Sequence, residues 1–157
     1  MNNTDSFFNH IRNGNTAAVA SLLDSDTGLL EIKDQRGSTP LLLATYYGHD
    51  DLAELLLEKG AQVDAKDGSG NTALMGVCFK GYVDIASTLI KAGANVNHKN
   101  AMGATCLIYA VTFNREDMVK LLLEHGADVS VKDARGKTAL DHAKEQDLKS
   151  MIAMLEK

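Results

Sequence analysis

The chain has 157 residues, enough for one compact domain with a moderate core; 45% of them are apolar and 24% charged. Aromatics reach only 5%, with no Trp and one Pro, so a core must rest on Leu, Val, Ile and Ala, a composition that leans towards helices. The net charge of −5 argues against a nucleic-acid binder, no apolar run approaches the ~18 residues of a membrane span, and the opening MNNTDSFFNHIRNG lacks the basic start and apolar run of a secretory signal.

Four columns recur at one interval. Gly37, Gly70, Gly103 and Gly136 are 33 residues apart, as are Thr39, Thr72, Thr105 and Thr138, and Leu41, Leu74, Leu107 and Leu140. Gly60, Gly93 and Gly126 keep the same spacing, and each opens a matching tetrapeptide: GAQV, GANV, GADV. The chain is a tandem array.

In chain order, residues 1–33 read as a degenerate first unit, a single cap. Phe7 takes the Leu column, Gly14 the break between helices, and Leu22 and Leu23 the second helix; the exit loop DSDTGLLEIK is one residue longer. Residues 34–66 are the clearest full unit. A polar turn leads to Thr39 as N-cap and Pro40 at the first helical position, predicting a short helix over 40–47. Gly48 breaks it, and a second helix is predicted from Asp50 to Lys59, with Leu52, Leu55, Leu56 and Leu57 on its apolar side. Gly60 ends that helix in a left-handed cap. Residues 67–99 and 100–132 repeat the scheme, and 133–157 form a truncated cap with helices near 139–145 and 147–156. The break column reads Gly14, Gly48, Gly81, Asn114, Asp147, the residue types that best tolerate positive φ.

The pattern D-x-x-G-x-T-P-L, a central Gly-His and L-L-L-E-x-G-A-x-V resembles the ankyrin repeat. DQRGSTPLLLATYYGH with LLLEKGAQVDAK, and MVKLLLEHGADVSVK, carry the resemblance most fully, and it covers nearly the whole chain. It implies an all-α solenoid of helix-turn-helix units with projecting β-hairpin-like turns, acting as a non-catalytic protein-binding module. Two departures stand out. The His of the first helix is replaced by Leu42, Met75, Ile108 and Asp141, and one first-helix column reads Asn9, Leu43, Gly76, Tyr109, His142. Tyr109 is predicted to occupy the space that Gly76 leaves.

Chemistry-bearing motifs dissolve in this register. Gly136-Lys137-Thr138 has the look of a phosphate-loop tail, but the Gly such a loop needs five residues upstream is Val131. GSGNTALMG at 68–76 is the same turn with an extra Gly and lacks dinucleotide-loop spacing. The five histidines are scattered, Cys78 and Cys106 have no metal-ligand spacing, and no nucleophile elbow occurs. Paired carboxylates such as Asp50-Asp51 and Glu116-Asp117 open second helices, where the dipole favours them. No enzyme, metal, cofactor or small-molecule substrate is expected. Cys78 and Cys106, in apolar surroundings, read as buried free thiols of a reducing compartment, so a cytoplasmic location is expected.

The resemblance implies that a partner is gripped by turn tips and the exposed side of first helices. By column, the tips contribute Arg36, Ser38, Asn71, Met102, Ala104, Arg135 and Lys137, and the helix ends Tyr46, Tyr47, Phe79, Lys80, Thr112 and Phe113. Lys137 looks free of structural duty, its column otherwise holding Ser38, Asn71 and Ala104. Tyr and Phe beside Arg is the composition of interaction hot spots, although some of these rings can instead pack sideways on the neighbouring repeat. Lys33, Lys66, Lys99 and Lys132 add a candidate basic stripe, although each precedes Asp or Asn and the ladder can equally be solvated charge. The expected partner is a folded protein, with the chain monomeric when free and acting as an inhibitor, regulator or protective binder. The alternative is an adaptor or self-associating scaffold that uses Met151, Ile152, Met154 and Leu155.

Overall fold

The computed structural model describes the backbone from Asn3 and the side chains from Thr4 through Lys157; the first two residues of the expected N-terminal unit lie outside it. Helices alternate along the chain in pairs: α1 Asn3–Arg12 with α2 Thr16–Ser25, α3 Pro40–Tyr46 with α4 Asp50–Glu58, α5 Ala73–Lys80 with α6 Val83–Lys91, α7 Cys106–Thr112 with α8 Glu116–Glu124, and α9 Ala139–Glu145 with α10 Lys149–Leu155. No strand forms among the described residues, so the projecting turns are turns and not true hairpins.

Local chemistry sets the ends. The hydroxyls of Thr39, Thr72, Thr105 and Thr138 accept the amides of Leu42, Met75, Ile108 and Asp141 at 3.2–3.4 Å, each satisfying a donor that the first turn leaves unpaired. At Thr138 the Asp141 carboxylate reaches back to the Thr138 amide and completes a capping box. The breaks between paired helices take positive φ as the residue types foretold, including Asn114 at 58° and Asp147 at 55°.

The two helices of a pair are buried differently. In α4, α6 and α8 burial falls on one stripe: Leu52, Ala53 and Leu56; Ile85, Ala86 and Leu89; Met118, Val119 and Leu122. In α3 every residue from Pro40 to Thr45 is buried, because first helices are flanked by first helices on both sides and by their own partner behind. Contacts run α1–α3–α5–α7–α9 along one layer and α2–α4–α6–α8–α10 along the other, so burial comes from nearest neighbours.

Two features of the connections are absent from the sequence reading. The longer exit loop of the first unit closes into a 3-10 turn, Thr27–Glu31, which buries Leu29 and is started by the Asp26 carboxylate accepting the Gly28 amide. In addition, the residue after each of three breaks covers the glycine of the break before it. His49 stacks on Gly14 and meets the Arg12 carbonyl at 2.8 Å, Tyr82 packs on Gly48, and the Arg115 guanidinium packs on Gly81 and donates to the Phe79 carbonyl at 3.0 Å. Three unlike side chains do one job, since each offers a flat face to a bare glycine.

Candidate functional site

The turn tips are built on one acidic or amide side chain per unit. The Oδ1 atoms of Asp34, Asp67, Asn100 and Asp133 each accept two backbone amides, two and four residues on, at 2.8–3.0 Å. Successive tips are then joined by backbone bonds: Gly68 N–H to the Arg36 carbonyl, Ala101 to Ser69 and Ala134 to Met102, at 3.0–3.1 Å. The sequence shows this column only as Asp or Asn beside lysines; its work is to hold the tips in a row.

Between the tips and the first helices lies a cavity of about 400 Å³. Its walls include Leu42, Leu43, Tyr46, Phe79, Tyr109 and Phe113; Met75 and Gly76 also line it, and Arg36, Asp67 and Asn71 stand on its polar side. The aromatic rings are ordered pairwise. Tyr46 and Tyr47 meet edge to face at 5.6 Å, and Phe79 and Phe113 at 4.6 Å, a geometry that favours fixed rings over mobile ones. Lys80 places its ammonium 4.7 Å from the Tyr46 ring centre.

Of the predicted contact residues, Tyr46, Tyr47, Phe79 and Phe113 are 38–47% exposed and all line this one cavity, with Phe79 and Phe113 also packing on each other across neighbouring units. Arg36 lines it too, and its guanidinium has no hydrogen bond or ion pair among the described residues. Met102 is 64% exposed on the next tip, and Arg135 is exposed on the last one. Thr112 is half-buried, and its carbonyl accepts the Gln146 amide. Lys33, Lys66, Lys99 and Lys132 are all exposed, and the Lys33 ammonium reaches the Lys66 carbonyl at 3.4 Å. A wider depression of about 980 Å³ adjoins on the first unit's side, lined by Phe8, Arg12, Lys33, Arg36 and Tyr47 among others.

Four expectations need correction. Tyr109 does not fill the space over Gly76: a Cβ there would meet no atom within 4 Å, and the Tyr109 hydroxyl instead takes the Asn100 amide at 2.7 Å, beside Asn71. Lys137 is not free, because its ammonium pairs with Glu145 on α9. Ala104 is buried beneath its tip and offers nothing to a partner. Met151 and Leu155 face inward as core residues, which leaves Ile152 and Met154 as the half-covered part of the last helix.

Leu43, Asp67 and Tyr109 also line the groove, and none of them is marked as a contact residue by the repeat columns. For Leu43 and Tyr109 the signal is the irregular column Asn9, Leu43, Gly76, Tyr109, His142, which equally fits packing alone; for Asp67 it is the tip column Asp34, Asp67, Asn100, Asp133. Four ionisable groups are displaced from their ordinary values, Cys78 upward and Asp128, Asp133 and Asp141 downward. Burial pushes the Cys78 thiol well up, helped by the neighbouring Cys106 sulfur. For Asp133, burial acts upward, but the His142 imidazole at 2.8 Å and the amides of Lys137 and Arg135 outweigh it and hold the carboxyl below the usual range.

A family pattern for ankyrin repeats (3 copies) matches residues 5–67, 64–133 and 97–157. The chain is also similar to a transient receptor potential cation channel subfamily A member 1 homolog of Caenorhabditis elegans, with 46% identity over 48 residues, or 31% of this chain. It covers 4% of that relative's length.

Proposed function

The chain belongs to the ankyrin repeat family, whose members are in general protein-interaction modules, and from that premise we propose that it binds a folded protein partner through the groove between turn tips and first helices. The observation that carries this reading is the row of exposed, mutually ordered rings, Tyr46, Tyr47, Phe79 and Phe113, along one cavity beside the Arg36 guanidinium, which is unpaired among the described residues. A surface fixed in advance by ring pairs and bonded tips loses little conformational entropy when it is covered. Arg36, Lys80, Met102 and Arg135 supply a polar and flexible margin, with Lys33, Lys66, Lys99 and Lys132 as an outer basic edge. The mode of action is non-catalytic: holding the partner inhibits, regulates or protects it. The cytoplasm is the proposed location, since two buried free thiols suit a reducing compartment.

Capture of partners from native lysate by the intact protein and by Tyr46→Ala/Tyr47→Ala/Phe79→Ala tests the reading. The variant is expected to keep the parent's circular-dichroism spectrum and to lose proteins that the parent retains. Identical protein sets on both would show that the groove is not the site. A scaffold that self-associates through Ile152 and Met154 is the second reading, supported by their partial cover. Light scattering over a concentration series decides it; a constant monomer mass removes it.

A further inference from the structure

The cavity lacks one side chain that its own neighbours possess. Gly76 sits at the fourth position of α5, and the residues at that position in the next two units reach back to their own tip. Tyr109 meets the Asn100 amide at 2.7 Å, and His142 meets Asp133 Oδ2 at 2.8 Å. In the preceding unit Leu43 fills the place with apolar bulk. At Gly76 there is nothing within 4 Å of where a Cβ would stand. The matching tip residue is Asp67, whose Oδ1 is engaged by the Ser69 and Asn71 amides, while its Oδ2 makes no hydrogen bond among the described residues. Asp67 lines the cavity, with Leu43 and Tyr109 flanking the gap and Tyr46, Phe79 and Phe113 completing an aromatic wall.

Resting on the groove-binding reading above, we propose that the gap over Gly76 is a socket for one aromatic side chain of the partner that bears an O–H or N–H donor, its ring seated among Tyr46, Phe79, Tyr109 and Phe113 and its donor on the Asp67 carboxylate. An ionised carboxylate only accepts, so the incoming group must donate. A ring without a donor covers the carboxylate and leaves its Oδ2 unpaired, which is costly. A volume of about 400 Å³ takes one large side chain and its backbone, and in the two units that follow, this column already holds a ring with a polar atom turned to the tip, the phenol of Tyr109 and the imidazole of His142.

The test uses the intact chain and two matched probes, N-acetyltyrosinamide and N-acetylphenylalaninamide, titrated while the Met75 methyl resonance is followed by NMR. The tyrosine probe is expected to shift Met75 saturably, and the phenylalanine probe to bind roughly tenfold more weakly. Gly76→Tyr, which supplies the ring from the chain itself, is expected to abolish the shift while melting no lower than the parent; Gly76→Leu blocks the same space should the tyrosine variant misfold. Equal affinity for the two probes overturns the donor requirement. No saturable shift at Met75, or an undiminished shift in both Gly76 variants, overturns the socket. Because no partner is present, these results are independent of the lysate capture, whose failure would strike the groove reading and not the probe affinities.

Discussion

Thr72 is fully buried, and its hydroxyl accepts the Met75 amide at 3.4 Å at the start of the helix that floors the groove. Replacement by Ala leaves that amide unpaired, and we expect Thr72→Ala to cost about 1 kcal/mol by urea unfolding, with Thr72→Ser recovering most of it. The buried thiols give a second check. Burial raises the Cys78 thiol, so little thiolate exists and none is exposed; both cysteines should resist a thiol reagent at pH 8 in the native protein and react promptly in denaturant. Fast native labelling would contradict the packing of α5 on α7. The Thr column was legible because Thr before an apolar run has one plain meaning. The Asp34, Asp67, Asn100, Asp133 column was not, since a turn-forming carboxylate and a solvated one look alike in sequence.

The last tip and α9 form a unit held by charge as well as by packing. Asp133 organises its own turn through Oδ1 and meets His142 of α9 through Oδ2, both side chains being largely covered. A carboxyl held below its ordinary value contributes stability above the unfolded value near ~3.9, and that contribution is lost as pH falls through the lower, folded value. Wild type should therefore lose urea resistance between about pH 4 and pH 2 more steeply than Asp133→Asn, in which the turn can persist as it does at Asn100. Parallel curves would show that Asp133 contributes nothing through ionisation. Helix existence and most boundaries were legible from caps and breaks; α10, predicted from 147, begins at Lys149 because Asp147 takes the positive φ of the break. Contacts between units, such as Arg115 on Gly81, were hidden, because a covering role tolerates His, Tyr or Arg and so leaves no pattern.

Across the array, a period of 33 residues fixes both the two layers of helices and the side from which the tips project. Acidic residues of the second helices, including Asp51, Glu54 and Glu124, are exposed on the opposite layer, while the tips spend their carboxylates on backbone amides and leave Arg36, Lys66 and Arg135 exposed. The net acidity of the chain thus says little about the face that binds. Most of the groove was legible as exposed aromatics out of register with the apolar columns; its gap at Gly76 was not, because a glycine in sequence does not reveal whether a neighbour fills its place. The central claim, that this face and not the outer layer meets the partner, is tested most directly by oxidative side-chain footprinting of a captured complex against the free chain. Tyr46, Tyr47, Phe79 and Phe113 should become protected while Met154 and Tyr82 oxidise as before; protection confined to Met154, Tyr82 and the second helices, with the groove rings still reactive, would contradict it.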